Sequence, residues 1–307
     1  MDSTIQSLWQ HSEAVPYKND KTKTGALLSN TRVGVEVEVE QMQRMISVPG
    51  WRCTTDGSLR ENGVEFVFKG PIGGAGACRR LVALDKALTS IPQKNFSART
   101  SVHVHVDVRD MTWNELLNLV ILYAMVEPYL FSVCGQERDE SIYSLSLYRG
   151  QDQVSKLINL IENGPEFLTS RNWTKYSSVN LLSVINFGSL EFRGHRGTCD
   201  SSTLINWINH LLSLKMWVQM YSNNLSDLPK LLSTSGHIAM LREVFGDKLL
   251  VPNIKAANRV RSKIYEGVWV AEDIIHHTKM NTTHRNLIES LQGGNQLDKI
   301  KDKLCAV

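Results

Sequence analysis

Across 307 residues the sequence has no CxxC pair, no uninterrupted apolar run of membrane length and almost no charge imbalance. Its cysteines (Cys53, Cys78, Cys134, Cys199 and Cys305) are odd in number and scattered. That argues against a disulfide framework or a thiolate zinc site and predicts reduced thiols in a cytoplasmic protein. The longest apolar stretch, LLNLVILYAMVEPYLF at 116–131, is cut by Glu127 and Pro128, so no membrane partner is expected. Polar residues through Lys23 predict no ordinary secretory signal. A net charge of +3 is too mild to recruit nucleic acid, and none is expected. Nucleotide fingerprints are missing too. GPIGGAG at 70–76 fits neither GxGxxG nor GxxxxGK[ST], since position 75 is alanine and no lysine follows; it reads as a turn.

What is there is alternation. TRVGVEVEVE at 31–40 places Glu36, Glu38 and Glu40 between Val35, Val37 and Val39, the pattern of a strand with one buried face. Like-side residues sit roughly 7 Å apart. Neighbouring carboxylates there repel by ~0.6 kcal/mol in water and ~2–3 kcal/mol at an effective dielectric near 20. The same alternation recurs in ARTSVHVHVDVRD at 98–110, with valines opposing Ser101, His103, His105 and Asp107. In GVEFVF, Val64, Phe66 and Phe68 oppose Glu65; in SLEFRG, Leu190 and Phe192 oppose Glu191 and Arg193. Four predicted strands thus carry an apolar face and a face of Glu, His or Arg. A solvated antiparallel sheet also alternates, but it would usually show Lys, Thr, Ser and Gln with mixed charges. Carboxylates with imidazoles suit Mg²⁺ or Mn²⁺. His103-Val-His105 alone is equally a zinc pair, a satisfied surface pair or a phosphate contact.

Around these strands, Asp56-Gly57 and Asn62-Gly63 predict turns and ACRRLVALDKAL predicts a helix. Thr112 with Glu115 predicts a capping box for a long apolar helix over 113–134, bent near Pro128. SSVNLLSVINFGSLEFRG predicts one or two strands ending near 193, and Asp200 or Ser201 caps a buried helix after it. Grouped strands with hairpin turns predict an α+β fold with a largely antiparallel sheet rather than a doubly wound one. The expected organisation is an irregular lead-in over 1–30, a catalytic domain over 31–224 and a helical extension over 225–307.

The ordered set (ExE on a strand, DGSL and GxE after it, HxH on a strand, ExR on a late strand) resembles the carboxylate–amine ligase superfamily built on the glutamine synthetase catalytic fold. Within it, the YSSVN…EFR…GT-D order over 176–200 is similar to the amidoligase family. The resemblance covers roughly 31–220. It implies a curved sheet whose concave face holds ATP and two or three Mg²⁺ or Mn²⁺ ions. It also implies a reaction in which a substrate carboxylate attacks the γ-phosphate and an amine displaces phosphate from the acyl phosphate. The carboxylate and amine would come from an amino acid or peptide. By the same resemblance, Glu36, His103 and Glu191 hold the ion at the ATP phosphates, and Glu38, Glu65 and Asp56 hold the other. His105 and Arg193, with Arg196 and Lys175, contact nucleotide or phosphate. Glu40 falls outside the family's pair and is expected to be solvated or to support the ligands. Two departures stand out: RTSV replaces the glycine-containing lead into HxH, and position 56 is Asp rather than Glu. Tyr176 and Asn180 sit in family-like positions; Arg138 and Arg149 are candidate carboxylate binders in a loop expected to shape the acceptor pocket. A guanidino-type kinase and a two-metal hydrolase are the alternative activities.

Overall fold

A computed structural model describes residues 3–11, 24–135, 138–139, 141–170, 172–221 and 225–292, with side chains described through 278. The polar stretch at 18–23 and the charged tail from 293 lie outside the described residues.

The fold is a mixed α+β arrangement around one open antiparallel sheet of six strands. These are β1 (Val33–Val39), β2 (Trp51–Thr55), β3 (Val64–Phe68), β4 (Ser101–Asp107), β5 (Val179–Asn180) and β6 (Ser189–Arg196), in the order β2-β3-β1-β4-β6-β5. β2 is a strand that the sequence pattern did not reveal, because Arg52 and Thr54 alternate with only one large apolar residue, Trp51. The stretch expected to hold one or two strands ending near 193 holds two, two-residue β5 and then β6, which runs on to Arg196; a six-residue helix separates them. Asn180 explains the break: its Oδ1 accepts the Leu182 N–H (3.0 Å) and its carbonyl accepts the Ser183 hydroxyl (2.8 Å), starting a helix. Gly188, at φ 65°, turns the chain back into β6.

The helices are α1 (Ile5–Leu8), α2 (Gly74–Thr89), α3 (Trp113–Cys134), α4 (Gln151–Asn163), α5 (Glu166–Thr169), α6 (Leu182–Phe187), α7 (Ser201–Tyr221), α8 (Asp227–Leu250), α9 (Ile254–Arg259) and α10 (Arg261–Gln292). The expected lead-in is therefore not wholly irregular: α1 buries Ile5 completely, and the Ile5 N–H donates to the Met111 carbonyl. The capping box at α3 is present on both sides, Thr112 accepting from Glu115 N–H and Glu115 from Thr112 N–H. Asp200 rather than Ser201 caps α7, accepting the Thr203 N–H at 2.7 Å. α8 is broken at Gly236 and Gly246, where φ is positive.

The valines of β1 and β4, with Phe66, Leu190 and Phe192, form a fully buried layer. α3 is long and apolar enough to cross a membrane, but its apolar length is buried inside the fold. It packs on β6, α7 and α10. Helix α3 continues through Pro128, which deprives the Ala124 carbonyl of its helical donor. Gly267 of α10 lies against that carbonyl; a Cβ there would stand 2.7 Å from the oxygen, so only glycine allows the helices this close. Residues of α8, α9 and α10 through Ile274 thereby join the same buried core.

A candidate metal centre between two clefts

Strand register delivers the polar residues to one place. Glu36 lies opposite His103 of β4, Glu38 opposite Glu65 of β3, and His105 opposite Glu191 of β6. Between the pairs Val102↔His195 and Val104↔Phe192, β4 has one residue and β6 has two. This bulge sets Arg193 and Gly194 together against His103, and Arg193, two residues after Glu191, shares the ligand face with it. Arg193 Nη1 lies 2.5 Å from Glu191 Oε1 and 3.4 Å from His103 Nδ1.

Three sets of ligand atoms each lie within 4.8 Å of one another: Glu36/His105/Glu191, Glu36/Glu65/His103 and Glu38/Asp56/Glu65. The first and third share no residue, so six side chains can serve two ions at once. The middle set overlaps both. The third set is the one the family resemblance implies. For the first, His105 rather than His103 completes the grouping with Glu36 and Glu191, and His103 falls between the two sets.

Neighbouring groups orient these ligands, as expected of a centre built for cations. Glu38 Oε2 accepts both the N–H and the hydroxyl of Ser101, each at 2.7 Å. Asn180 Nδ2 donates to Glu191 Oε2 at 2.7 Å, and Ser189 Oγ stands 3.2 Å from His105 Nδ1. His103 Nε2 is 2.7 Å from Ser101 Oγ and its Nδ1 is 3.1 Å from Glu36 Oε2. His103 Nδ1 thus lies among Glu36, Glu191 at 3.7 Å and the Arg193 guanidinium at 3.4 Å, at the point where the carboxylates converge.

The electrostatics show conflict at that point. Burial pushes the Glu65 carboxyl up, and the charges of Glu36, Glu38 and Asp56 add to this, bringing it to about 8. For Glu36 burial also works upward, but hydrogen bonds from His103 and His105 outweigh it and hold the group well below the usual carboxylate range. Burial works to lower the His105 imidazole, but Glu36 and Glu191 raise it overall. A cation at this face would remove the conflict between carboxylates, and the oxygen-rich donor set fits a hard divalent ion.

Glu36 is shared by two clefts. One, of about 270 Å³, is lined by the carboxylates Glu36, Glu38, Asp56 and Glu65 together with Arg99, Lys175, Arg193 and Tyr143. The other, of about 300 Å³, lies on the His105 side and is lined by Arg32, Arg52, Arg109, Phe68, Phe187 and Pro71 among others. Arg109 is forked onto Asp107 there, at 2.9 and 2.6 Å.

Other candidates fall elsewhere. Lys175, expected at the nucleotide, lines the carboxylate cleft beside Tyr176. Arg196 is exposed at the end of β6 and lines neither cleft. Arg138 is buried behind β6, donating to the Arg193 carbonyl at 3.2 Å, and Arg149 lies near Asp139 and Glu266 at 3.7 and 3.9 Å. From that loop it is Tyr143 that reaches the cleft. Glu40 is buried, not solvated, and accepts the Arg60 N–H at 2.9 Å, holding the turn that follows Asp56. Ser189, Arg32, Arg52 and Arg99 escaped the sequence reading, whereas Ser101 was placed by alternation on the ligand face, though without its role of holding Glu38. Compared with protein-family models the chain matches none, and no curated protein matches it.

Proposed function

We propose that this chain is an ATP-dependent carboxylate–amine ligase, forming an amide or isopeptide bond through an acyl phosphate on a glutamine synthetase-like catalytic fold. The observation that carries the reading is the pair of disjoint ligand sets on one sheet face, flanked by two clefts that meet at Glu36. Glu36, His105 and Glu191 would hold one ion and Glu38, Asp56 and Glu65 another, with His103 between. Such ions, when bound, neutralise phosphoryl oxygens and orient them for in-line transfer.

The chain's own residues supply the rest. Arg32 and Arg52 offer guanidinium forks for a polyphosphate, and the exposed Phe187 offers a face for a base, so the cleft at His105 suits ATP. Arg193 reaches the junction from β6 and donates to phosphoryl oxygens as charge develops on them. The carboxylate cleft then holds the acceptor acid, whose oxygen attacks the γ-phosphorus while ADP leaves. The amine next adds to the acyl carbon, and phosphate departs with the acyl C–O bond broken.

The test is ATP turnover with Mg²⁺ or Mn²⁺, pooled amino acids and short peptides, and hydroxylamine as the amine. ADP with hydroxamate from one pool, lost in Glu191→Gln, is the expected result. ADP with a stable phosphorylated product and no hydroxamate favours the guanidino-type kinase. Absence of turnover together with absence of calorimetric ATP binding overturns the ligase reading.

A further inference from the structure

The turn that follows Asp56 has little of its own to hold it. Over 57–62, between β2 and β3, five of the six residues are exposed and none is buried. Glu61 and Asn62 both take positive φ, 51° and 59°, a conformation that favours glycine. Asp56 also has one C–C bond less, ~1.5 Å, with which to reach an ion than Glu38 and Glu65 beside it. Yet its carboxylate groups with theirs, ligand atoms within 4.8 Å of one another.

Ties from outside the turn supply the placement. In the far half, Glu40 accepts the Arg60 N–H at 2.9 Å and the Gln41 N–H donates to the Glu61 carbonyl at 3.0 Å. In the half beside Asp56, Arg99 Nη2 donates to the Ser58 carbonyl at 2.9 Å, and the Ser58 N–H donates to Asp56 Oδ1 at 2.7 Å. One chain of contacts thus runs from Arg99 to the ligand. The root of Arg99 is firm: its N–H donates to Ser97 Oγ at 3.1 Å, and Thr100 next to it is completely buried. Its guanidinium lies 5.5 Å from the Tyr143 ring centre, a second hold on the side chain. Two residues on, Ser101 grips Glu38. The segment RTSV that enters β4 therefore governs two of the three carboxylates in this set.

We propose that Arg99 is a positioning residue for the Glu38/Asp56/Glu65 set, keeping the short carboxylate of Asp56 at the ion by fixing the Ser58 carbonyl. A guanidinium lining this cleft could instead act only as a charge, and the two roles have opposite signs. A bare positive charge repels a divalent ion, so its removal would tighten ion binding. Removal of a clip on the ligand turn weakens it. The role rests on the two ions of the proposed function, but not on the reaction they serve.

The experiment is Mn²⁺ titration of the full chain, followed by electron paramagnetic resonance, in wild type, Arg99→Ala and Arg99→Ala/Asp56→Glu. The wild type should bind two ions. In Arg99→Ala one of them should bind about ten-fold or more weakly, while the other stays within about two-fold of wild type and shows that the variant is folded. Asp56→Glu restores reach from an unclipped turn, so the double variant should recover most of the loss. Unchanged or tighter binding in Arg99→Ala overturns the proposal, as does a loss that Asp56→Glu leaves untouched. Equal weakening of both ions also overturns it, because positioning is confined to one set. A wild type that binds no Mn²⁺ removes the metal centre and this role with it. Loss and rescue of one ion without hydroxamate formation in any pool would remove the ligase reading alone and leave the role of Arg99 standing.

Discussion

Val35, Val37 and Val39 share a strand with Glu36 and Glu38, yet the two sides of that strand follow opposite rules. On the valine side every neighbour agrees: β-branched residues from β1 and β4 meet Phe66, Leu190 and Phe192, all fully buried. On the other side the neighbours conflict, with Glu65 driven up to about 8 by burial and by three like charges. The valine face is what specifies the sheet, through buried apolar area. The carboxylate face works against the ion-free fold, and such local conflict is expected where function outranks stability. Mutations on the two sides should therefore separate activity from folding.

The largest effect is expected on the wet side. Glu191→Gln should lower ADP production at least 10³-fold, a loss of ~4 kcal/mol in transition-state stabilisation, while moving the denaturant midpoint by less than about 1 kcal/mol. Its dry-side neighbour behaves in reverse. Phe192→Ala should cost ~3–5 kcal/mol of stability, and the protein that remains folded should still bind Mn²⁺. If Glu191→Gln unfolded as readily as Phe192→Ala, the division between the faces would collapse.

A smaller effect sharpens the comparison, because one carboxylate lies on the dry side without a cation set. Glu127 of α3 is completely buried and accepts the N–H groups of Leu147 (3.0 Å) and Tyr148 (2.9 Å) and the hydroxyls of Ser146 (3.1 Å) and Ser178. It pins the segment beside Tyr143 and Lys175 by hydrogen bonds rather than by a metal. Burial pushes it up to about 7 despite those bonds. The folded form then prefers the protonated acid, so stability is lost as pH rises from the ordinary carboxylate value through 7. Between pH 5 and 8 the wild type should lose on the order of 2–3 kcal/mol relative to Glu127→Gln, whose profile should be flatter. Chemical denaturation at each pH measures the difference, and parallel profiles would contradict the assignment.

How much of this was legible in the sequence follows from the same contrast. Period-two alternation displayed β1, β3, β4 and β6, and the capping box marked the start of α3, because each signal is local. The Glu38/Asp56/Glu65 grouping was accessible through motif order. What escaped depends on pairing between distant segments. β2 lacks a run of large apolar residues, and β5 is only two residues long before Asn180 turns the chain into α6. That His105 also groups with Glu36 and Glu191 follows from the pairing of β4 with β1 and β6, which is not written in any one strand. Arg99 and Arg52 look like ordinary surface arginines until the fold lines clefts with them.

The central claim is that the carboxylate face exists for cations, and Mn²⁺ binding tests it most directly. Titration followed by electron paramagnetic resonance, on wild type and Glu65→Gln, should be run from pH 6.5 to 8.5. Protonated Glu65 competes with the ion below about pH 8, so affinity should rise with pH across this range. At least two Mn²⁺ should bind per wild-type chain and one should be lost in Glu65→Gln; above about pH 8, where Glu65 is ionised in the ion-free protein, that variant should also melt higher because a like charge is gone. No bound Mn²⁺ at millimolar concentration, or a Glu65→Gln protein that binds as wild type does and melts earlier there, would contradict the claim.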